Sequence, residues 1–223
     1  MGDAIGQVLP FAVVVALSPI PIIGVVLMLG TPRARSNAPA FILGWLIGLI
    51  LVGTIVLLVA SGANASESGE PATWVGVLKL VLGTLLLLVG LKQWRNRPRG
   101  DADAALPGWM RRVDQFTPGR AAAMGVALSA INPKNLVLTI GAAAAIAESG
   151  LGTGDQAVAL AVFVVIGTLG PGLPVAIYFV MGERAARMLD DLKEWMGHHN
   201  AAIMAVICLV IGAKLIGDGI SAL

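Results

Sequence analysis

Cysteine is almost absent. Cys208 stands alone in an apolar stretch, so the chain forms no internal disulfide and no two-cysteine redox centre. Histidine is nearly as scarce, and the adjacent pair His198 and His199 supplies at most two metal ligands, so no metal site is expected. There is no phosphate-binding loop, and no nucleophile has a histidine base that the sequence can place beside it. The chain is therefore expected to be no enzyme, to hold no cofactor, and to need another subunit for any work driven by ATP. Charge is thin as well: 13% of residues are charged, and a formal net charge of +2 argues against nucleic acid as a partner.

Apolar residues fill the space these absences leave. With 57% hydrophobic residues and a mean hydropathy of +0.87, the composition is that of an integral membrane protein. Six segments, at about 4–29, 38–61, 73–94, 121–147, 155–180 and 199–221, reach the ~20 residues that a ~30 Å hydrocarbon layer requires. The first opens with Asp3 rather than a basic stretch, and its apolar run outlasts that of a signal peptide. It is expected to stay as a membrane helix.

The basic residues avoid two of the five loops. Arg33 and Arg35 fall in the first, Lys92, Arg95, Arg97, Arg99, Arg111, Arg112 and Arg120 in the third, and Arg184, Arg187 and Lys193 in the fifth. The second and fourth carry only Glu67, Glu70, Glu148 and Asp155. The positive-inside rule then makes the odd loops cytoplasmic and predicts that both termini face outward. Of the 15 Lys and Arg residues, the three outside the odd loops, Lys79, Lys134 and Lys214, lie within segments. A five-segment or seven-segment count would put whole blocks of arginine on the wrong side.

This alternation makes the first segment run inward and the fourth outward. The expected fold is all-α, with six transmembrane helices as an inverted 3+3 repeat: residues 1–94, a basic cytoplasmic linker at 95–120, and residues 121–223. Residues 62–72 read as an outer loop of small and polar residues, and 95–105 as a charged stretch. Trp109, Met110, Val113 and Phe116 recur at helical spacing opposite Arg111, Arg112 and Asp114. Met188, Leu189, Leu192, Trp195 and Met196 repeat the pattern in loop five. Both stretches are expected to lie flat at the inner surface as interface anchors.

One short stretch occurs twice. Val15-Ala16-Leu17-Ser18 is followed by Pro19-Ile20-Pro21, and Val126-Ala127-Leu128-Ser129 by Ala130-Ile131-Asn132-Pro133-Lys134-Asn135. Proline removes a backbone donor and clashes with the preceding turn, so helices 1 and 4 are expected to break there. At membrane depth a broken helix survives where protein or a water-filled cavity satisfies the freed groups. Ser18, Ser129, Asn132 and Asn135 supply such partners, and the same side chains suit a ligand equally well. The candidate substrate-binding set is therefore Ser18, Pro19, Pro21, Ser129, Asn132, Pro133, Lys134 and Asn135.

Lys134 is the sharpest single residue in that set. Thirteen residues past Ala121, at 1.5 Å each, it lies ~20 Å into its segment, where its charge needs a partner. Asp3, Glu148, Asp155 and Asp218 all sit near outer ends, which leaves a cap on backbone carbonyls or an anionic ligand. Lys79 and Lys214 lie near the outer boundary and are expected to snorkel to the head groups. In segment five, Gly167-Thr168-Leu169-Gly170-Pro171-Gly172-Leu173-Pro174 suits either a hinge, centred on Gly170, Pro171, Gly172 and Pro174, or tight helix packing. Gly44, Gly48 and Gly53 hold the matching place in segment two.

Six spans, Ser18-Pro19-Ile20-Pro21 in the first and Asn132-Pro133-Lys134 in the fourth resemble the lysine exporter superfamily over the whole chain. Its amino-acid exporters carry a Thr-Pro-Gly-Pro-Asn-like first motif and an Asn-Pro-Lys second one. Within it the chain looks most like the peptidoglycolipid-addressing (sulfolipid-addressing) group, whose members are linked to moving envelope glycolipids toward the cell surface. Ile20 and Ile22 replace the Gly and Asn of the amino-acid exporters, which serves a zwitterionic cargo badly. Ser18 and Ser129 stand where the related reductant conductors have cysteine. The resemblance implies a bacterial inner (plasma) membrane exporter of an amphipathic, anionic lipid or glycolipid. Membrane lipids, envelope lipid-synthesis proteins and a second copy of the chain are its implied partners. An exporter of amino acids or similar small polar metabolites, and a non-transporting assembly factor for envelope lipid synthesis, remain as alternatives.

Overall fold

A computed structural model describes residues 1–62, 66–67, 70–71, 73–95 and 108–223. Much of the expected outer loop at 62–72, and the charged stretch at 95–105 beyond Arg95, lie outside the described residues. Ser66–Glu67 pairs antiparallel with Glu70–Pro71 in that loop, and the other regular elements described are helical. In chain order they are α1 (Gly2–Ala16), α2 (Pro19–Leu29), α3 (Ala34–Gly62), α4 (Thr73–Arg95), α5 (Pro118–Val126), α6 (Pro133–Glu148), α7 (Thr153–Met181) and α8 (Ala186–Ser221). A 3₁₀ turn, Gly108–Gln115, precedes α5, and a π turn, Ala127–Ile131, follows it.

Helices α3, α4, α7 and α8 are each long and apolar enough to cross a bilayer. The other two candidates are bent pairs: α1 meets α2 at 48°, and Pro118–Ile131 meets α6 at 61°. Proline by itself does not decide where a helix breaks. Pro10 lies within α1, Pro39 within α3, and Pro171 and Pro174 within α7, all without interrupting them. At the two breaks the residue before proline is of an N-cap type, Ser18 before Pro19 and Asn132 before Pro133; the Ser18 hydroxyl turns back to Val15 O, whereas Asn132 caps α6 with its side chain. Thr117 starts α5 before Pro118 in the same way. The tolerated prolines follow Leu9, Ala38, Gly170 and Leu173, which have no side-chain oxygen to open a new helix. Proline at the first helical position sacrifices no bond, because that N–H has no intrahelical acceptor.

Glycine brings the helices together. Along α4 and α8, which run antiparallel, Gly76 meets Gly219, Gly83 meets Gly212, and Gly90 meets Ala205. A Cβ on Gly83 would lie 2.8 Å from the Gly212 carbonyl oxygen, so the backbones approach as closely as they do because no side chain intervenes. Gly44 on α3 packs on the backbone of Ala122 in α5, and Gly170 on α7 packs on the backbone of Ala16 in α1. Trp45, Phe11, Phe41, Phe163 and Leu138 fill the interior between these contacts. Outward, α3 exposes Leu43, Ile47, Leu51, Ile55 and Leu58 at three- to four-residue spacing, an apolar stripe suited to lipid.

The ends of the bundle sort consistently. Gln7 of α1, Lys79 of α4, Glu148 of α6 and Lys214 of α8 gather at one end. At the other, the Phe116 carbonyl beside the start of α5 accepts from Asn37 Nδ2 at 2.9 Å and Arg33 Nη1 at 3.5 Å, both at the start of α3.

Two expectations are corrected here. Met110, Val113 and Phe116 do not turn toward lipid: they are buried in the protein, and Trp109 packs over Gly24 of α2. Glycine at position 24 leaves the notch that the indole fills. Met188 to Met196 are not a separate surface helix but the first turns of α8, with Leu189 and Met196 buried. The chain there has no proline, and the helix runs on through Gly197 and Asn200.

Candidate functional site

Each break frees backbone carbonyls from their helical partners, and the second motif caps one at each break. At the first, the Ser18 N–H bonds Val15 O at 3.2 Å instead of the carbonyl of Val14. The freed Val14 O accepts from Lys134 Nζ at 3.1 Å. At the second, the Asn132 N–H reaches back to Ala127 O at 2.9 Å and so bypasses Leu128. The freed Leu128 O accepts from Asn135 Nδ2 at 2.8 Å. In an apolar medium an uncapped carbonyl is expensive, which explains why two polar residues sit here at membrane depth.

The caps also bind the breaks to each other. Ser18 Oγ accepts from Lys134 Nζ at 2.5 Å, and its proton points to Val15 O at 2.7 Å or Asn135 Oδ1 at 3.1 Å. Asn132 caps α6, its side chain accepting from the Lys134 N–H at 3.1 Å. Lys134, Asn135 and Ser18 are all buried, and of the three N–H donors on the ammonium two have described protein acceptors.

A cavity of about 400 Å³ opens against this network. Both breaks line it, through Ser18, Pro19 and Pro21 on one side and Asn132, Pro133, Lys134 and Asn135 on the other. Val89 and Met204 add apolar wall, and Lys92 and Gln93 of α4 extend the cavity toward the basic end of that helix. The N-termini of α2 and α6 both begin at this cavity, so their partial positive charges add to that of Lys134. The arrangement can hold an anionic group beside an apolar one.

One expected site residue lies elsewhere. Ser129 is buried away from the cavity, donates to Gly125 O at 2.9 Å and fills the notch left by Gly48 on α3. The candidate hinge is also apart from the cavity: α7 is continuous through Gly170, Pro171, Gly172 and Pro174, and Gly170 is a packing contact with Ala16.

A polar cluster at the opposite end escaped the sequence reading. Lys79 does not snorkel; its Nζ lies 2.6 Å from Glu148 Oε2, with the two side chains 9% and 7% exposed. Lys214 pairs with Asp218 one turn away at 2.5 Å, and its ammonium stands 5.6 Å from the Phe11 ring centre. These groups, with Gln7 and Ser221, line a cavity of about 290 Å³. The i,i+4 spacing of Lys214 and Asp218 was a visible signal for one pair. Nothing local in the sequence joins Lys79 to a residue 69 positions away.

A multi-pass membrane protein built around two capped helix breaks that share a cavity is the class these features define. The chain belongs to the family described as Sap, sulfolipid-1-addressing protein, whose model matches residues 8–221. That match takes in both breaks and both ion pairs of the polar cluster. No match was found among curated proteins or among solved structures.

Proposed function

We propose that the chain is a secondary-type transporter that moves an amphipathic, anionic lipid or glycolipid outward across a bacterial inner membrane. The observation that carries this reading is the cavity shared by the two breaks, which combines a buried ammonium and two helix N-termini with apolar walls of proline, isoleucine, valine and methionine. A sulfated or phosphorylated head group suits the first part and an alkyl chain the second. The family's description speaks of a sulfolipid, which is a lipid of this chemistry. Amino-acid export finds less support, because no carboxylate among the described residues lines the cavity to receive an amino group.

In this reading the six candidate crossings form two inverted halves, 1–94 and 121–223, with both termini outside and the basic linker in the cytoplasm. The reciprocal packing of α1 on α7 and of α3 on α5, and the central pairing of α4 with α8, support such a pseudo-twofold arrangement. The cavity reaches Lys92 on the basic side, while the Lys79–Glu148 cluster closes the far end, as suits an inward-facing state. The protein acts without enzymatic chemistry or cofactor. Its partners are membrane lipids, its lipid substrate, envelope lipid-synthesis proteins and, in a homo-oligomer, further copies of itself.

The test is lipidomics of the cell surface in a deletion strain, complemented with wild type or with Lys134→Met. Restored surface lipid with Lys134→Met at normal membrane abundance would sink the site assignment. Purified protein in liposomes that moves no lipid unaided would favour an assembly factor instead.

A further inference from the structure

A second groove lies outside this site, at the basic end of the bundle. It has a volume of about 970 Å³ and runs between the 3₁₀ turn Gly108–Gln115 and α5. Arg112, Gln115 and Arg120 line it, together with Ala123 and Met124 of α5 and Ala127 of the π turn. Its floor is preformed. Trp109 and Phe116 stack with ring centres 6.3 Å apart, the Phe116 carbonyl is held by Asn37, and the indole is seated over Gly24.

The charge of the groove is one-sided. Arg112 and Arg120 are exposed, neither has an ion-pair partner among the described residues, and Asp114 on the same turn does not line the groove. From Arg120 to Ala127 is seven residues, or ~10 Å along the helix, about a third of a hydrocarbon layer. Arg120, Ala123, Met124 and Ala127 recur at three- and four-residue steps, and the same spacing leads on to Ile131, which is 70% exposed beside the break. Charge at the helix end, small apolar residues below it and a path to the break match one kind of occupant.

We propose that this groove is the loading site for an anionic membrane lipid, resting on the transport reading above. Arg112 and Arg120 hold the phosphate or sulfate of the head group, and an alkyl chain lies along Ala123, Met124 and Ala127. From there the lipid reaches the shared cavity past Ile131 and Pro133.

The experiment uses the full chain in phosphatidylcholine vesicles that contain brominated phosphatidylglycerol or brominated phosphatidylcholine. Bromine quenches nearby indoles, and the share due to Trp109 is the difference between wild type and Trp109→Phe. The anionic lipid is expected to quench that share at least about fivefold more effectively than the zwitterionic one. Arg112→Gln with Arg120→Gln should abolish the preference, and Arg112→Lys with Arg120→Lys should keep most of it. Inorganic phosphate should compete no better than sodium chloride of equal ionic strength, since the occupant is a lipid. Equal quenching by both lipids in wild type, a preference that survives the Gln pair or is lost in the Lys pair, or specific displacement by phosphate would each overturn the assignment. Lys134→Met should lose export yet keep the preference, so failure of the groove and failure of the transport site are read separately.

Discussion

The Lys134 ammonium donates to the carbonyl oxygen of Val14, a residue 120 positions earlier in the chain, at a distance of 3.1 Å. Through that bond the second helix break supplies a donor that the first one lacks. Lys134 thus combines a structural task with a charge that lines the cavity, and two substitutions separate the roles. Lys134→Gln keeps an N–H donor but removes the charge, whereas Lys134→Met removes both. Thermal unfolding of the purified protein should show Lys134→Met destabilised by about 1–2 kcal/mol and Lys134→Gln by less. Export should fall at least about tenfold in both, as one lost charge-assisted bond implies. Wild-type export by Lys134→Gln would reduce Lys134 to a cap.

The neighbouring cap makes a matched prediction. Asn135→Leu preserves volume but leaves Leu128 O without a donor and Ser18 without one of its acceptors. A loss of about 1–2 kcal/mol is expected in the same melt. Asn135→Gln should recover little of it, because the longer side chain displaces the amide from a carbonyl it meets at 2.8 Å. Stability equal to wild type in Asn135→Leu would mean that water or lipid head groups satisfy the carbonyl.

How much of this could be read from residues alone depends on how local the cause is. Both breaks were legible because serine or asparagine followed by proline acts within one turn. The uninterrupted course of α7 fits the same rule: Gly170 and Leu173 precede its prolines and carry no side-chain oxygen to cap a new helix. Glycine and proline content alone leaves a hinge and tight packing level. The 3₁₀ turn was misplaced because periodicity identifies an apolar face without saying what covers it. Gly24, whose missing side chain admits Trp109, lies 85 residues from that tryptophan in the sequence. The Lys79–Glu148 pair was hidden for the same reason, since a span boundary and a buried partner both account for a lysine near a helix end. The repeat of Gly76, Gly83 and Gly90 against Gly212 and Gly219 was readable as a seven-residue period and marks the α4–α8 contact.

The Lys79–Glu148 pair should behave as a buried ion pair and not as a surface one. Its side chains are 9% and 7% exposed, and Glu148 Oε1 has no partner among the described residues. Lys79→Met strands a carboxylate and is expected to destabilise by about 3–5 kcal/mol. Lys79→Met with Glu148→Met removes both charges and should recover most of that loss, which a double-mutant cycle measures as a coupling of about 3 kcal/mol or more. Lys214→Met, whose pair is 34% and 37% exposed, should change stability by less than about 1 kcal/mol. Additive effects of Lys79→Met and Glu148→Met would show that the two residues do not meet.

Gly170 and Gly172 distinguish packing from motion in α7. A Cβ on Gly170 would fall within the carbonyl group of Ala16, so Gly170→Ala must push α1 and α7 apart or rebuild the contact. Destabilisation of about 1–3 kcal/mol is expected, with export reduced in proportion to the folded protein that remains. A Cβ on Gly172 meets nothing closer than Thr168 Cγ2 at 3.8 Å, and alanine there stiffens the helix between two prolines. Gly172→Ala should therefore leave the unfolding temperature unchanged or slightly raised. If α7 is a packing element only, Gly172→Ala exports at the wild-type rate. A fall of tenfold or more at unchanged stability, on the scale of about 1.4 kcal/mol in the barrier, would restore the hinge.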